Sequence, residues 1–271
     1  MTLEFTKMNG AGNDFVMLDN RDLSLSLSNE EIERLCDRHR GVGADGLLAV
    51  EPAQDGADFR MRYYNADGGE AEMCGNGARC FARFAQKLTG GVEPIQFETP
   101  AGVIGAEYLG DLVRVQLSEP FDLSLGEEIE ILGSARTVHN LNTGVPHAVL
   151  VVPELSEVDI RPEGSAIRYH ERYAPAGTNV NFMEIEGDSA IAIRTYERGV
   201  EDETLACGTG MVANAIIHHL LTGAHSPVRV RVKGGDVLEV AFEGDAESGF
   251  RNVTLTGPAD FVFEGEVDLP D

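Results

Sequence analysis

Two cysteines in this sequence stand where their residue type and spacing could do chemistry. Cys74 opens Cys74-Gly75-Asn76-Gly77, Cys207 opens Cys207-Gly208-Thr209-Gly210, and a run with helical spacing follows each. A cysteine just ahead of a helix puts its sulfur beside backbone N–H groups that lack an intrahelical acceptor, at the positive end of the helix dipole. That setting favours the thiolate: a free thiol titrates near about 8.5, and a helix N-terminus lowers this by about a unit or more, giving a competent base near neutral pH. The same N–H groups bind a carboxylate, and the glycines let a substrate approach the backbone closely.

If two such sulfurs face one carbon from opposite sides, they invert it. One thiolate removes the α-proton, the helix ends hold the developing carbanionic charge, and the other thiol returns a proton. The expected chemistry is racemisation or epimerisation of an amino acid, with no cofactor. A thiol scaffold or redox protein that joins Cys74 to Cys207 is the alternative of a different class. Cys36 and Cys80 lack the Gly-x-Gly setting and read as core. The four cysteines form no CxxC pair and the histidines do not complete zinc spacing, so no metal is expected.

Positioning these cysteines falls to a unit that occurs twice. A strand ends at Tyr64-Asn65, an acidic loop follows, and Cys74 opens a helix; a strand ends at Tyr196-Glu197, the loop Arg198 to Ala206 follows, and Cys207 opens a helix. Pro94 lies 20 residues after Cys74 and Pro227 lies 20 after Cys207, each opening an alternating strand, and Gly102 and Gly235 then sit at equivalent turns. The first helix should bury one stripe, Ala78, Phe81, Ala82, Ala85 and Leu88, with Arg79, Arg83 and Lys87 on its other faces. The second, apolar nearly all round from Met211 to Ile217, should lie inside a sheet. Further strands are expected at 113–117, 180–185, 190–196, 237–242 and 253–255, and a helix capped by Ser28 with Glu31 should run towards His39. The fold class is α+β: two pseudo-symmetric domains, each a curled mixed or antiparallel sheet around a central helix. The boundary falls near Glu119-Pro120, with residues 1–118 in the first half and the second half beginning at residue 119.

The segments Met8-Asn9-Gly10-Ala11-Gly12-Asn13-Asp14-Phe15, Asn65-Ala66-Asp67-Gly68, Met73 to Cys80, Tyr196-Glu197-Arg198-Gly199 and Ala206 to Gly210 resemble the diaminopimelate epimerase family in order and spacing, over nearly the whole chain. The resemblance implies two similar domains, residues 1–118 joined by the C-terminal strand 259–271 and residues 119–258, with the active site in the cleft between them. It implies a cofactor-free conversion of LL- to meso-diaminopimelate, in lysine and cell-wall precursor biosynthesis, with Cys74 and Cys207 as acid and base. It implies that Asn13, Asn65, Asn179 and Arg198 hold the ends of the substrate, with Gly75, Asn76, Gly208 and Thr209 at the helix ends, Glu197 on an ammonium group and His147 in support. Two positions depart from the family: many members carry asparagine where Val145 stands and glutamine where Gly46 stands. Proline or hydroxyproline racemases are the nearest rivals, but proline offers no distal ammonium and carboxylate for Glu197 and Arg198.

Bulk properties narrow the partners. Of 271 residues, 46 are acidic and 21 basic, a formal charge of −25, and Lys7, Lys87 and Lys233 are the lysines. Nucleic acid is therefore an unexpected partner. The scattered acidic residues read as a solvated surface of the kind found in salt-loving cells. No apolar run is long enough to span a bilayer and the N-terminus does not read as a signal peptide, so a cytoplasmic protein acting on a small molecule is expected, with a homodimer left open.

Overall fold

Runs rich in Val, Leu, Phe and Tyr become strands wherever a residue in two faces a core. In the computed structural model, which describes residues 2–71 and 73–269, the first are β1 (Thr2–Gly10), β2 (Asn13–Asp19), β3 (Gly46–Pro52), β4 (Phe59–Asn65), β5 (Ile95–Thr99), β6 (Gly102–Leu109) and β7 (Leu112–Gln116). Helix α1 (Asn29–Cys36) lies between β2 and β3, and α2 (Gly75–Thr89) between β4 and β5. The chain continues with β8 (Phe121–Ile131), β9 (Ser134–Asn142), β10 (Pro146–Val151), α3 (Ile160–Arg168), β11 (Asn179–Gly187), β12 (Ala190–Glu197), β13 (Asp202–Thr204), α4 (Gly208–Thr222), β14 (Val228–Arg231), β15 (Val237–Asp245), β16 (Gly249–Pro258) and β17 (Asp260–Asp268). Contacts divide it into unit 1, Met1–Gln116 with Thr256–Asp271, and unit 2, Leu117–Leu255.

The two units repeat one pairing scheme. In unit 1, β1–β2 is antiparallel, β2–β3 parallel, β3–β4 antiparallel, β4–β5 parallel and β5–β6 antiparallel. In unit 2, β9–β10, β10–β11, β11–β12, β12–β14 and β14–β15 follow the same alternation. Each parallel pair requires a crossover. Helices α1 and α3 fill the first crossover of their units, α2 and α4 the second. Strand β17 pairs antiparallel with β1, and β8 pairs antiparallel with β9, at corresponding edges.

The central helices end alike and are buried differently. Each stops at a glycine in the left-handed region, Gly90 (φ 67°) and Gly223 (φ 75°), 16 residues after its cysteine. A residue with a Cβ is strained there, so glycine is the natural stop. Helix α4 buries Met211, Val212, Ile216 and Ile217 completely, worth about 1.5–3 kcal/mol apiece. Helix α2 buries Ala78, Phe81, Ala82 and Ala85 as the spacing predicts, but Arg79 is also fully buried rather than on an outer face. Its guanidinium donates to the carbonyls of Gly10, Gly75 and Pro258 and to Asn76 Oδ1, so the cation is inside because four oxygens surround it.

Other expectations are adjusted by local geometry. Ser28 and Glu31 form the capping box, but α1 stops at Cys36, where Asp37 takes extended backbone and accepts from the N–H groups of His39 and Arg40. Within the predicted loop Arg198 to Ala206, β13 pairs with β12. No described helix is long and apolar enough to cross a membrane.

Candidate active site

In unit 1, β4 ends at Asn65 and the chain returns to start α2 at Cys74. Cys74 is the N-cap, with extended backbone, and its Sγ accepts from the Gly77 N–H at 3.4 Å. Asn76, in the first turn, donates from Nδ2 to Asn13 Oδ1 at 2.6 Å, and Asn13 Nδ2 donates to Asp45 Oδ2 at 3.0 Å. Buried Arg79 donates to Asn76 Oδ1 at 3.0 Å, which fixes which end of that amide faces Asn13. Asn13, Asn76 and Cys74 are thus gathered around the start of α2.

Charge anchors this cluster from behind. Asp14 takes an ion pair from Lys7 at 2.7 Å and one from Arg38 at 2.6 Å, and Arg38 also reaches Asp45 at 2.8 Å. Burial pushes the Asp14 carboxyl up, but its bonds to Arg38 and Lys7 outweigh that and hold it at about 2. Asn65 is exposed at the end of β4 and accepts from the Tyr63 hydroxyl at 2.9 Å. Gly46 pairs with Asn65 across the strands; a Cβ there would lie 2.9 Å from Tyr63 Cε2. Glycine leaves the space that the Tyr63 ring takes.

In unit 2, Cys207 is the N-cap of α4, buried, with Sγ 3.6 Å from Thr209 Oγ1. His147 Nε2 lies 3.0 Å from the same hydroxyl and His147 Nδ1 lies 3.1 Å from Asn181 Nδ2. Burial, reinforced by the charge of Arg198, pushes the His147 imidazole down to about 3, so it is neutral at physiological pH. Beside this cluster the Arg198 N–H donates to Asn179 Oδ1 at 2.8 Å, Thr204 donates to Glu197 Oε2 at 2.9 Å, and Arg198 Nη1 donates to the Ala176 carbonyl at 3.3 Å. Unit 2 therefore brings Asn179, Glu197 and Arg198 together at the end of β12, and Cys207, Gly208, Thr209 and His147 at the start of α4. Val145 contributes its carbonyl to the Thr143 N–H at 3.1 Å.

The sequence reading passed over Asn181 and Thr195. Both are buried polar side chains, Asn181 between buried Val180 and Phe182 on β11 and Thr195 beside buried Tyr196 on β12, and a polar residue set among apolar neighbours was the available signal. Cys36 and Cys80 are core residues, 3% and 0% exposed, and burial pushes both thiols up to about 12. Among the described residues no group of three or more His, Cys, Asp or Glu is arranged to hold a metal ion.

The family model described as diaminopimelate epimerase matches residues 5–120 and 139–262. A diaminopimelate epimerase of Chlorobaculum tepidum is 42% identical over 268 residues, covering 97% of this chain and 100% of the relative. One of Aquifex aeolicus is 43% identical over 279 residues, covering 98% of each. Among solved structures, a phenazine biosynthesis protein of the PhzF family from Bacillus anthracis has a TM-score of 0.76 at 17% identity, covering 99% of this chain and 100% of the other. A hydroxyproline epimerase from Agrobacterium vitis has a TM-score of 0.71 at 19% identity, covering 100% and 93%. At such identities these two structures share a fold with this chain.

Proposed function

Because this chain belongs to the diaminopimelate epimerase family, we propose that its conversion of LL- to meso-diaminopimelate runs through Cys74 and Cys207 as a two-base pair. The observation that carries the reading is that each unit begins its central helix with a cysteine whose sulfur lies at the helix N-terminus. One thiolate takes the α-proton. The carboxylate, held by the first-turn N–H groups at Gly75-Asn76 and Gly208-Thr209, accepts the negative charge as the carbon flattens. The other thiol delivers a proton from the opposite face, and the roles exchange in the reverse direction. No cofactor or metal enters this scheme.

Substrate selection rests on the remaining polar groups. Asn13, Asn65 and Asn179 supply neutral donors and acceptors, Arg198 a planar cation for a carboxylate, and Glu197 an anion for an ammonium group. A long substrate with an ammonium and a carboxylate at each end uses all of them. Proline uses only part, which favours the diaminopimelate reading over a proline or hydroxyproline racemase.

The test is incubation with LL-diaminopimelate in deuterated water with no added cofactor. The expected result is meso product carrying deuterium at the inverted centre. Turnover of proline or hydroxyproline, with no exchange into diaminopimelate, overturns the assignment.

A further inference from the structure

We propose that Asn181 and Thr195 are positioning residues that, through His147 and Thr209, aim a hydroxyl hydrogen at Cys207 and so set its acidity separately from that of Cys74. The proposal deepens the two-thiol reading and rests on it. It starts from an atom whose role is fixed. The Ala148 carbonyl can only accept, and the Asn181 amide atom 3.2 Å from it is therefore the nitrogen. The Thr195 hydroxyl meets the other end of the amide, donating to Asn181 Oδ1 at 2.9 Å.

The rest of the chain follows by elimination. Asn181 Nδ2 also donates to His147 Nδ1, so that ring nitrogen carries the lone pair and Nε2 carries the hydrogen. Nε2–H donates to Thr209 Oγ1. With one lone pair of that oxygen taken, its own hydrogen turns to the remaining neighbour, Cys207 Sγ at 3.6 Å. The Thr143 hydroxyl holds the Thr209 carbonyl at 3.0 Å and keeps the turn in place. A hydroxyl hydrogen aimed at sulfur favours the thiolate. Burial keeps His147 neutral, so the direction of the relay does not change in the physiological range.

Strand register shows that the relay belongs to one unit. Phe15 pairs with Gly46 as His147 pairs with Asn179, and Leu48 pairs with Tyr63 as Asn181 pairs with Thr195. The places of His147, Asn181 and Thr195 are thus taken in unit 1 by Phe15, Leu48 and Tyr63. Glycine geometry agrees independently. A Cβ on Gly77 would meet Leu48 and Phe15, whereas one on Gly210 would meet Asn181 Oδ1 at 2.6 Å and Cys207 Sγ at 3.3 Å.

The experiment reads each thiol's titration from the pH dependence of alkylation by a small iodoacetamide-type reagent, resolved by peptide mapping, in full-length Thr195→Val, Asn181→Leu, Thr209→Val and Thr209→Ser. The midpoint of Cys207 should rise by about one pH unit in the first three, the order expected when a donor to a charged sulfur is lost. Thr209→Ser should stay near the parent, and the midpoint of Cys74 should not move. Turnover should show kcat falling about tenfold with KM little changed in Thr195→Val. If Asn181→Leu does not fold, the isosteric Thr195→Val decides. An unmoved Cys207 midpoint in the folded variants, or equal movement of both cysteines, overturns the relay. Because alkylation does not need the substrate to be turned over, failure of the diaminopimelate assignment would be seen separately.

Discussion

The two units build the same scaffold and finish it with different chemistry. At the start of α2, Cys74 takes a hydrogen bond from backbone, the Gly77 N–H, over an apolar floor of Phe15 and Leu48. At the start of α4, Cys207 meets the Thr209 hydroxyl, over a floor where His147 and Asn181 are hydrogen-bonded. A backbone donor is fixed by the fold itself. A hydroxyl donor needs other side chains to say where its hydrogen points. The comparison teaches that pseudo-symmetric positions need not be equivalent acids, and that the difference is written in residues one layer behind the sulfurs.

The strongest blow to the comparison removes the sulfurs. Cys74→Ala and Cys207→Ala should each lower epimerisation by at least about a thousandfold, because inversion needs an acid and a base together. Cys36→Ala and Cys80→Ala should keep turnover of the same order as the parent. Formation of meso-diaminopimelate from the LL isomer measures all four, and near-parental rates in either of the first two would end the two-base mechanism.

Next comes the charge that unit 2 alone carries at the end of its strand. Register matches Glu197 to Asn65, so Ala66 stands where unit 2 has Arg198. Arg198→Lys keeps the cation but loses the planar two-point grip, and kcat/KM should fall by about tenfold to a hundredfold, or about 1.5–3 kcal/mol. An unaltered kcat/KM would remove Arg198 from the binding set.

The two glycines sharpen the contrast more finely. Gly210→Ala drives a methyl against Asn181 Oδ1, held in place by Thr195, and should cost about tenfold in kcat and about 1–3 kcal/mol of stability. Gly77→Ala meets the movable Leu48 Cδ1 at 3.2 Å and should cost less on both counts. Parallel turnover assays and urea melts check the order, and an equal or reversed order would mean the floors do not differ as described.

Acid should loosen unit 2 before unit 1. An unfolded chain binds a proton at histidine near about 6.5, whereas buried His147 resists protonation down to about 3 and His139 is shifted the same way by burial. Stability from these groups is complete above about pH 6.5 and drains away as pH falls below it. Asp14, depressed to about 2, loses its contribution only as pH falls from about 4 towards about 2. Amide exchange resolved by peptide should show unit 2 losing protection at the higher pH. Simultaneous loss in both units would count against the assignment.

The smallest effect acts on both units alike. With a formal charge of −25, raising potassium chloride from about 0.01 M to about 1 M shortens the screening length from about 30 Å to about 3 Å and should raise the melting temperature. A flat response would show that the acidic surface is no salt adaptation.

Legibility in the sequence followed how local each feature is. The capping box at Ser28 and the cysteine-to-proline spacing are set within a few residues or by direct repetition, and the fold class followed from them together with the alternating strands. Long-range packing was not readable. Arg79 sits at a spacing that suits an exposed face, and two of the oxygens that draw it inside, the carbonyls of Gly10 and Pro258, are distant in sequence. Helix α3 was missed because Pro162 and Gly164 lie in its first turns. Gly164 is there for closeness, since a Cβ would come 2.5 Å from Tyr196 Cβ. The cysteines could be picked out because each carries its own helix start, whereas the relay is assembled from β10, β11, β12 and α4.

The Arg79 guanidinium has a consequence for the order of assembly on the ribosome. Unit 2 is a continuous stretch of chain, 117–255, and can close as soon as it emerges. Unit 1 is begun first but finished last, because its central helix waits for the Pro258 carbonyl and its β1 edge waits for β17. A released fragment ending at residue 255 would hold a closed unit 2 beside an open unit 1, with a cation and a strand edge still exposed. Proteases acting on such a fragment would therefore attack unit 1 rather than unit 2.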